Sequence, residues 1–307
     1  MTTYATIEVL PVTAVIGAEV RGADLTRPLS ERQRDEVRQA LLRHHVLFFR
    51  DSELTEAEQF AFATQFAPPM LAGPGGNAGA MGAMGAPDAP AGAARAPAPS
   101  PFVTLRDTPE SPPKADHWHS DVPFAKEPPD FAVLCMLATP EVGGDTLWVN
   151  MHAVYDRLSP TMQEVLAGLD LMVGIGAPVK VGYAGREGGE EAYQRMLAET
   201  PPARHPLVRI HPETGRPSLS YAGSEFTRGI AGMHPGESEA ILAYLRTRLD
   251  DPNCQVRWRW RQHDVAMWDE RCTDHRAMSD HYPAFRSIRR CLVGQGAPVG
   301  PRASAGV

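Results

Sequence analysis

The sharpest chemical signal in the chain is Trp118-His119-Ser120-Asp121. In an extended segment, residues two apart point to the same face, so His119 and Asp121 can aim an imidazole and a carboxylate at one point. A third ligand from far along the chain would complete a set of two histidines and one carboxylate. Such a set suits Fe(II) and leaves three octahedral positions open, two for a bidentate keto acid and one for O2. The downstream segment Trp268-Asp269-Glu270-Arg271-Cys272-Thr273-Asp274-His275 offers the second imidazole in His275, and Arg286 and Arg290 follow it. An arginine on a neighbouring strand can grip the distal carboxylate of a dicarboxylic keto acid with a two-pronged hydrogen bond. Thr146, after Gly143-Gly144-Asp145, can donate its hydroxyl to the same carboxylate.

Each signal has a plainer reading. A His-x-Asp pair is unsurprising in a chain with 11 histidines. Cys272-x-x-His275 resembles half of a zinc site, with His117-x-His119 the only cluster to complete it. A zinc-binding or non-catalytic barrel leaves Asp121, Thr146 and Arg290 without a role, and Cys272 is expected to pack as a small apolar residue. Arg209, Arg257, Arg259 and Arg261 read as the exposed face of a strand whose other face carries Val256, Trp258 and Trp260. Trp118, Trp148 and Trp268 are expected in the core.

The elements that must position these groups are mostly short. Strands are expected at residues 7–10, 14–20, 46–49, 131–137, 146–149, 207–210, 218–221, 255–258, 265–268 and 288–293. Ser30 and Thr55 read as caps of helices that start at Glu31 and Glu56, the second running to Phe66. Further helices are expected at 151–158, 160–168, 190–199 and 235–249. This pattern predicts a mainly β protein decorated with helices. From Ala67 to Pro101 the composition collapses to Ala, Gly, Pro and Met, which reads as a disordered insertion or a lid within a single domain spanning 1–307.

The bulk numbers exclude more than they reveal. A chain of 307 residues with 43% hydrophobic content can bury a sizeable core. A net charge of −7 gives no footprint for nucleic acid, and no apolar run is long enough for a membrane. The N-terminus lacks a signal-peptide pattern, and four sparse cysteines do not form a disulfide framework, so a cytoplasmic setting is expected.

Taken together, several segments resemble the taurine dioxygenase family, which includes alkylsulfatases and aryloxyalkanoate dioxygenases. They are Ile16 to Leu25, Trp118 to Val122, Gly143 to Trp148, His205 to Arg209 with His211-Pro212, Val256 to Trp260, and Trp268 to His275. The resemblance implies a double-stranded β-helix, the cupin-like jelly roll. It implies a dioxygenase that uses Fe(II), 2-oxoglutarate and O2 to hydroxylate a small organic substrate, releasing succinate and CO2. That hydroxylation can end in loss of sulfite or an alcohol. His119, Asp121 and His275 match the iron ligands, Thr146 and Arg290 the residues on the distal carboxylate, and Arg286 an arginine near the 1-carboxylate. Taurine-binding members carry an Asn where this chain has Ala115, and a His aligned near Ala72, so taurine itself is not the expected substrate. His117, Val122 and Phe124 are the candidate substrate contacts. The alternative is a same-fold oxygenase acting in biosynthesis on an amino acid or larger scaffold. A homo-oligomer and a small, anionic substrate are the expected partners.

Overall fold

The computed structural model describes residues 4–70, 101–176, 180 and 188–301. Its frame is a seven-stranded sheet in the order β1-β2-β3-β13-β5-β15-β4. These are β1 Glu8–Pro11, β2 Ala18–Arg21, β3 Val46–Phe49, β4 Phe102–Asp107, β5 Phe131–Ala138, β13 Val265–Asp269 and β15 Arg286–Val293. A second sheet has the order β12-β6-β14, with β6 Thr146–Asn150, β12 Gln255–Trp258 and β14 Thr273–Ala277. Smaller sheets join β11-β7-β8 (Thr227–Ile230, Asp170–Val173, Ala203–Pro206) and β9 with β10 (Val208–Ile210, Pro217–Leu219).

The continuous apolar runs follow from burial on both faces. In β3, Val46 and Phe48 point to the space between the sheets, while Leu47 and Phe49 point to the helices outside. β13 and β5 split the same way, with Ala266, Trp268, Leu134 and Met136 inward. Both faces being covered removes the polar alternation of an exposed strand. Phe48 stacks on Trp258 with ring centroids 3.9 Å apart and meets Trp148 edge-on at 5.4 Å, which locks the large sheet onto the small one.

Helices α1 (Glu31–His44) and α2 (Glu56–Ala63) cover the outer face. Ser30 and Thr55 cap them as expected, and Thr55 with Glu58 closes a reciprocal capping box. The remaining helices are α3 (Met151–Asp156), α4 (Pro160–Leu166), α5 (Gly189–Glu199) and α6 (Pro235–Leu249). Among the described residues, no helix is long and apolar enough to cross a membrane.

The low-complexity segment starts later than Ala67. Met70 is buried, and its N–H donates to Leu292 O at 2.9 Å, so residues 67–70 belong to the fold. Residues 71–100, and with them Ala72 and the choice between lid and disorder, lie outside the described residues.

Candidate active site

His119 and His275 come from segments 156 residues apart, joined by an antiparallel bridge. Each donates its N–H to the other's carbonyl, at 3.0 and 2.7 Å. Directly opposed residues in such a pair send their side chains to the same face, and the rings sit with centroids 4.3 Å apart. Asp121, two residues on, joins them: its Oδ1 lies 3.9 Å from His275 Nε2. Ligand atoms of His119, Asp121 and His275 all lie within 4.8 Å of one another, and all three residues are buried. The next residue, Val122, holds a left-handed φ of 50°, rare for a β-branched side chain and typical of functional sites.

The protonation states suit a cation. Burial pushes the imidazoles of His119 and His275 below their usual range, so both are neutral, with lone pairs to offer. His119 Nδ1–H donates to His117 O at 2.8 Å, which leaves Nε2 as the free nitrogen. Burial alone would raise Asp121, but the Arg290 charge outweighs it and holds the carboxyl below the carboxylate range. Asp121 Oδ1 pairs with Arg290 Nη1, and Oδ2 is buried with no hydrogen-bonding partner among the described residues. A buried carboxylate with one oxygen lacking a partner, clustered with two neutral imidazoles, fits an oxygen- and nitrogen-liganded ion such as Fe(II).

The arginines fall differently from the sequence expectation. Arg286 and Arg290 share the inner face of β15, whereas Arg289 points outward to Gln59 Oε1 (2.6 Å) and Leu54 O (2.6 Å). Thr146 was expected to act with Arg290. The structure instead puts Arg286 Nη2 3.5 Å from Thr146 Oγ1, with Arg286 Nε donating to Gly144 O at 3.2 Å. Arg290, four residues further along β15, is engaged with the Asp121 carboxylate. The physical reason is register: β15 is antiparallel to β4 and β5, and its Arg286 end lies beside the Gly143-Gly144 turn that leads into β6.

Sequence reading missed three supporting groups. Trp260 Nε1–H donates to Thr146 Oγ1 at 2.9 Å. Asp107 of β4 lies 3.5 Å from Arg286 Nη1. Glu270 accepts the Asp121 N–H at 3.0 Å and the Trp268 Nε1–H at 2.6 Å. Burial, then the nearby Asp121 charge, pushes the Glu270 carboxyl well up, so it sits behind the triad as a neutral acid. Its position in the Trp268–His275 segment was the available signal. The zinc alternative is not assembled, because Cys272 faces His45 and His152, or His211 and Asp269, rather than His275. Arg209 is buried, contrary to expectation, whereas Arg257, Arg259 and Arg261 are exposed. All three tryptophans expected in the core are buried.

One cavity opens onto the triad. Its floor carries His119, Asp121, Arg286 and Arg290, and Val122 and Phe124 form apolar wall. His117 stands at its side, its Nε2 2.9 Å from Glu225 Oε1. Ala115 also lines it.

The comparisons with known proteins agree with this geometry. The family pattern described as "Taurine catabolism dioxygenase TauD, TfdA family" matches residues 8–292. An α-ketoglutarate-dependent sulfate ester dioxygenase of Pseudomonas putida is 29% identical over 96% of this chain and 91% of its own. The crystal structure of a putative α-ketoglutarate-dependent taurine dioxygenase from Burkholderia xenovorans superposes with a TM-score of 0.76 at 31% identity, covering 96% of this chain and 95% of that one. A structure of AAD-2 with Mn(II) and N-oxalylglycine gives 0.73 at 26% identity, over 95% and 99%. The mainly β, jelly-roll architecture expected from the sequence is therefore the fold of this chain. A pattern match over nearly the whole length, carried by a matching fold, means that the chain belongs to the TauD/TfdA family of dioxygenases.

Proposed function

We propose that this 2-oxoglutarate-dependent dioxygenase hydroxylates a small organic anion, with Fe(II) held by His119, Asp121 and His275. The observation that carries this reading is the buried His119–Asp121–His275 cluster, two members of which, His119 and Asp121, line one cavity together with the buried Arg286 and Arg290. When bound, Fe(II) with 2-oxoglutarate supplies the oxidising chemistry, coupling loss of CO2 and formation of succinate to oxygen insertion into a substrate C–H bond.

The chain's own residues do the rest. Arg286, steadied by Asp107 and by Gly144 O, and Thr146, oriented by Trp260, form the anchor for the far carboxylate of 2-oxoglutarate. Arg290 keeps Asp121 charged and adds positive potential at the inner end of the cavity. Val122 and Phe124 exclude water from the reacting carbon, and His117 is a polar contact for the substrate in the same cavity. Ala115, where taurine-binding members carry Asn, leaves a sulfonate one donor short, which supports a bulkier or less polar anion. Sulfate esters and aryloxy acids fit this description better than taurine.

The test is an anaerobic titration of apo-protein with Fe(II) and 2-oxoglutarate, followed by the visible charge-transfer band of a chelated keto acid. The band is expected in the wild type, and its perturbation by a panel of sulfonates, sulfate esters, aryloxy acids and amino acids ranks the substrates. Folded wild-type protein that gives no band overturns the metal and cosubstrate assignment.

A further inference from the structure

A second cluster of metal-binding side chains lies apart from the triad, and the dioxygenase reaction gives it no task. His45, His152 and Cys272 are each almost fully buried, and their ligand atoms lie within 4.8 Å of one another. They arrive from three places in the fold. His45 ends α1 in a left-handed conformation (φ 66°), His152 lies in the first turn of α3, and Cys272 sits in the turn between β13 and β14.

His152 is the telling residue. Its Nδ1–H donates to Pro217 O at 2.6 Å, so Nε2 carries a lone pair. The side chain is wholly buried, and Nε2 has no hydrogen-bonding partner among the described residues. An acceptor stranded in this way is destabilising unless something fills it. Cys272 Sγ lies 3.4 Å from His45 Nδ1. Ligand bonds of about 2.3 Å to sulfur and 2.0 Å to nitrogen put two donors on one ion roughly 3.5 Å apart. The neighbouring His211 and Asp269 are already satisfied. His211 Nε2 bonds Asp269 Oδ2 at 3.0 Å, and its Nδ1 accepts the Glu213 and Thr214 N–H groups at 3.2 Å. Arg271 grips both oxygens of Asp269 at 2.8 and 2.7 Å.

We infer that His45, His152 and Cys272 form a second, buried three-donor metal site for a thiophilic d10 cation, Cu(I) or Zn(II). Two neutral imidazoles and a thiolate are the donors such ions select, whereas Fe(II) of the triad takes a carboxylate. On binding, the thiol S–H bond breaks, the proton leaves to solvent and a sulfur–metal bond forms, with no change of oxidation state. The ion ties α1, α3 and the β13–β14 turn together just upstream of His275. Its role is to hold the strand that carries a catalytic ligand, not to take part in turnover.

The experiment uses the whole chain, stripped of metal and handled anaerobically. It is titrated with Cu(I) against a coloured Cu(I) chelator, and separately with Zn(II) against a zinc indicator, followed by X-ray absorption of the loaded protein. The wild type should take up one soft ion with one sulfur and two nitrogen neighbours, and its melting temperature should rise. Cu(I) uptake, Zn(II) uptake or both identify the ion. His152→Asn keeps the donor to Pro217 O but loses Nε2, and Cys272→Ser loses the sulfur. Each should weaken uptake by more than about 100-fold, because losing groups behind the ligands alone costs about 10–100-fold. Cys135→Ser, which removes a buried cysteine on the helix-covered face, should change nothing. If Cys272→Ser fails to fold, His45→Asn, which tolerates the left-handed backbone, replaces it. Folded wild type that binds no ion through sulfur, or variants that bind as well as wild type, overturn the site.

Discussion

Among single side chains, Arg290 is bound into the site most tightly, and its removal should show this in two ways. It shares the buried carboxylate of Asp121, so Arg290→Leu leaves a charge without a partner in a low-dielectric interior. The metal-free variant should lose about 3–5 kcal/mol of stability in urea denaturation, with part of the loss recovered on adding Fe(II). Arg286→Leu should act elsewhere. Its guanidinium faces Thr146 rather than the triad, so Fe(II) binding should persist while the KM for 2-oxoglutarate rises. Losing a charged hydrogen bond of about 1.5–3 kcal/mol corresponds to roughly 10–150-fold. If instead Arg290→Leu raises that KM and Arg286→Leu does not, the two roles are reversed. His119→Ala or Asp121→Ala removes a proposed iron ligand, and succinate formation should fall to background in either. Wild-type consumption of 2-oxoglutarate by one of them would move the metal elsewhere. The grouping of His119 with Asp121 was readable because distinctive chemistry stands two residues apart, whereas His275, 156 residues on, was picked out only by its segment. The division of labour between the arginines was not, because spacing along β15 says which face they share but not which loop packs over each.

Secondary-structure elements were legible where one physical rule acted alone. The caps Ser30 and Thr55 announce α1 and α2, and the apolar runs of β3, β5 and β13 announce strands covered on both sides. Five strands escaped notice, β4, β7, β8, β11 and β14, and the last three have polar, glycine- or proline-bearing sequences. Thr273-Asp274-His275-Arg276 of β14 buries Asp274 and His275 for the sake of the site, and His205-Pro206 and Arg228-Gly229 interrupt β8 and β11. A buried polar strand looks like a loop until its partners are known. The same scale holds a pH prediction. Glu36 of α1 accepts Ala5 N–H (2.9 Å), Thr6 N–H (2.8 Å) and Thr6 Oγ1–H (2.7 Å), which fastens the chain before β1 to the helix. Burial opposes the charge, but these bonds win and lower the Glu36 carboxyl to about 2. A depressed carboxylate contributes stability that is present above its unfolded value near 4.5 and lost as pH falls toward 2. Stability measured across that window should fall less steeply in Glu36→Gln than in the wild type. Identical slopes would mean that the bonds to residues 5 and 6 do not form in solution.

The whole molecule depends on the contact between its two sheets. Phe48 is fully buried, stacked on Trp258 and edge-on to Trp148, and Trp148 in turn leans on Trp268, whose ring lies 4.9 Å from His275. Phe48→Ala should cost about 3–5 kcal/mol in chemical denaturation. It should also loosen Fe(II), since the wall behind His275 would lose its support. A loss below about 1 kcal/mol would show that the sheets are joined elsewhere. The strand order has a further consequence, for the birth of the protein. β15 does not lie at an edge; it is inserted between β5 and β4, although it is the last strand among the described residues. A nascent chain lacking it has a gap in its central sheet and no arginine to neutralise Asp121. Contacts of such long sequence separation form late and slowly. On a ribosome the pocket around Asp121 therefore closes only after residue 293 has emerged, so the groups that meet there do so late in the folding of this domain.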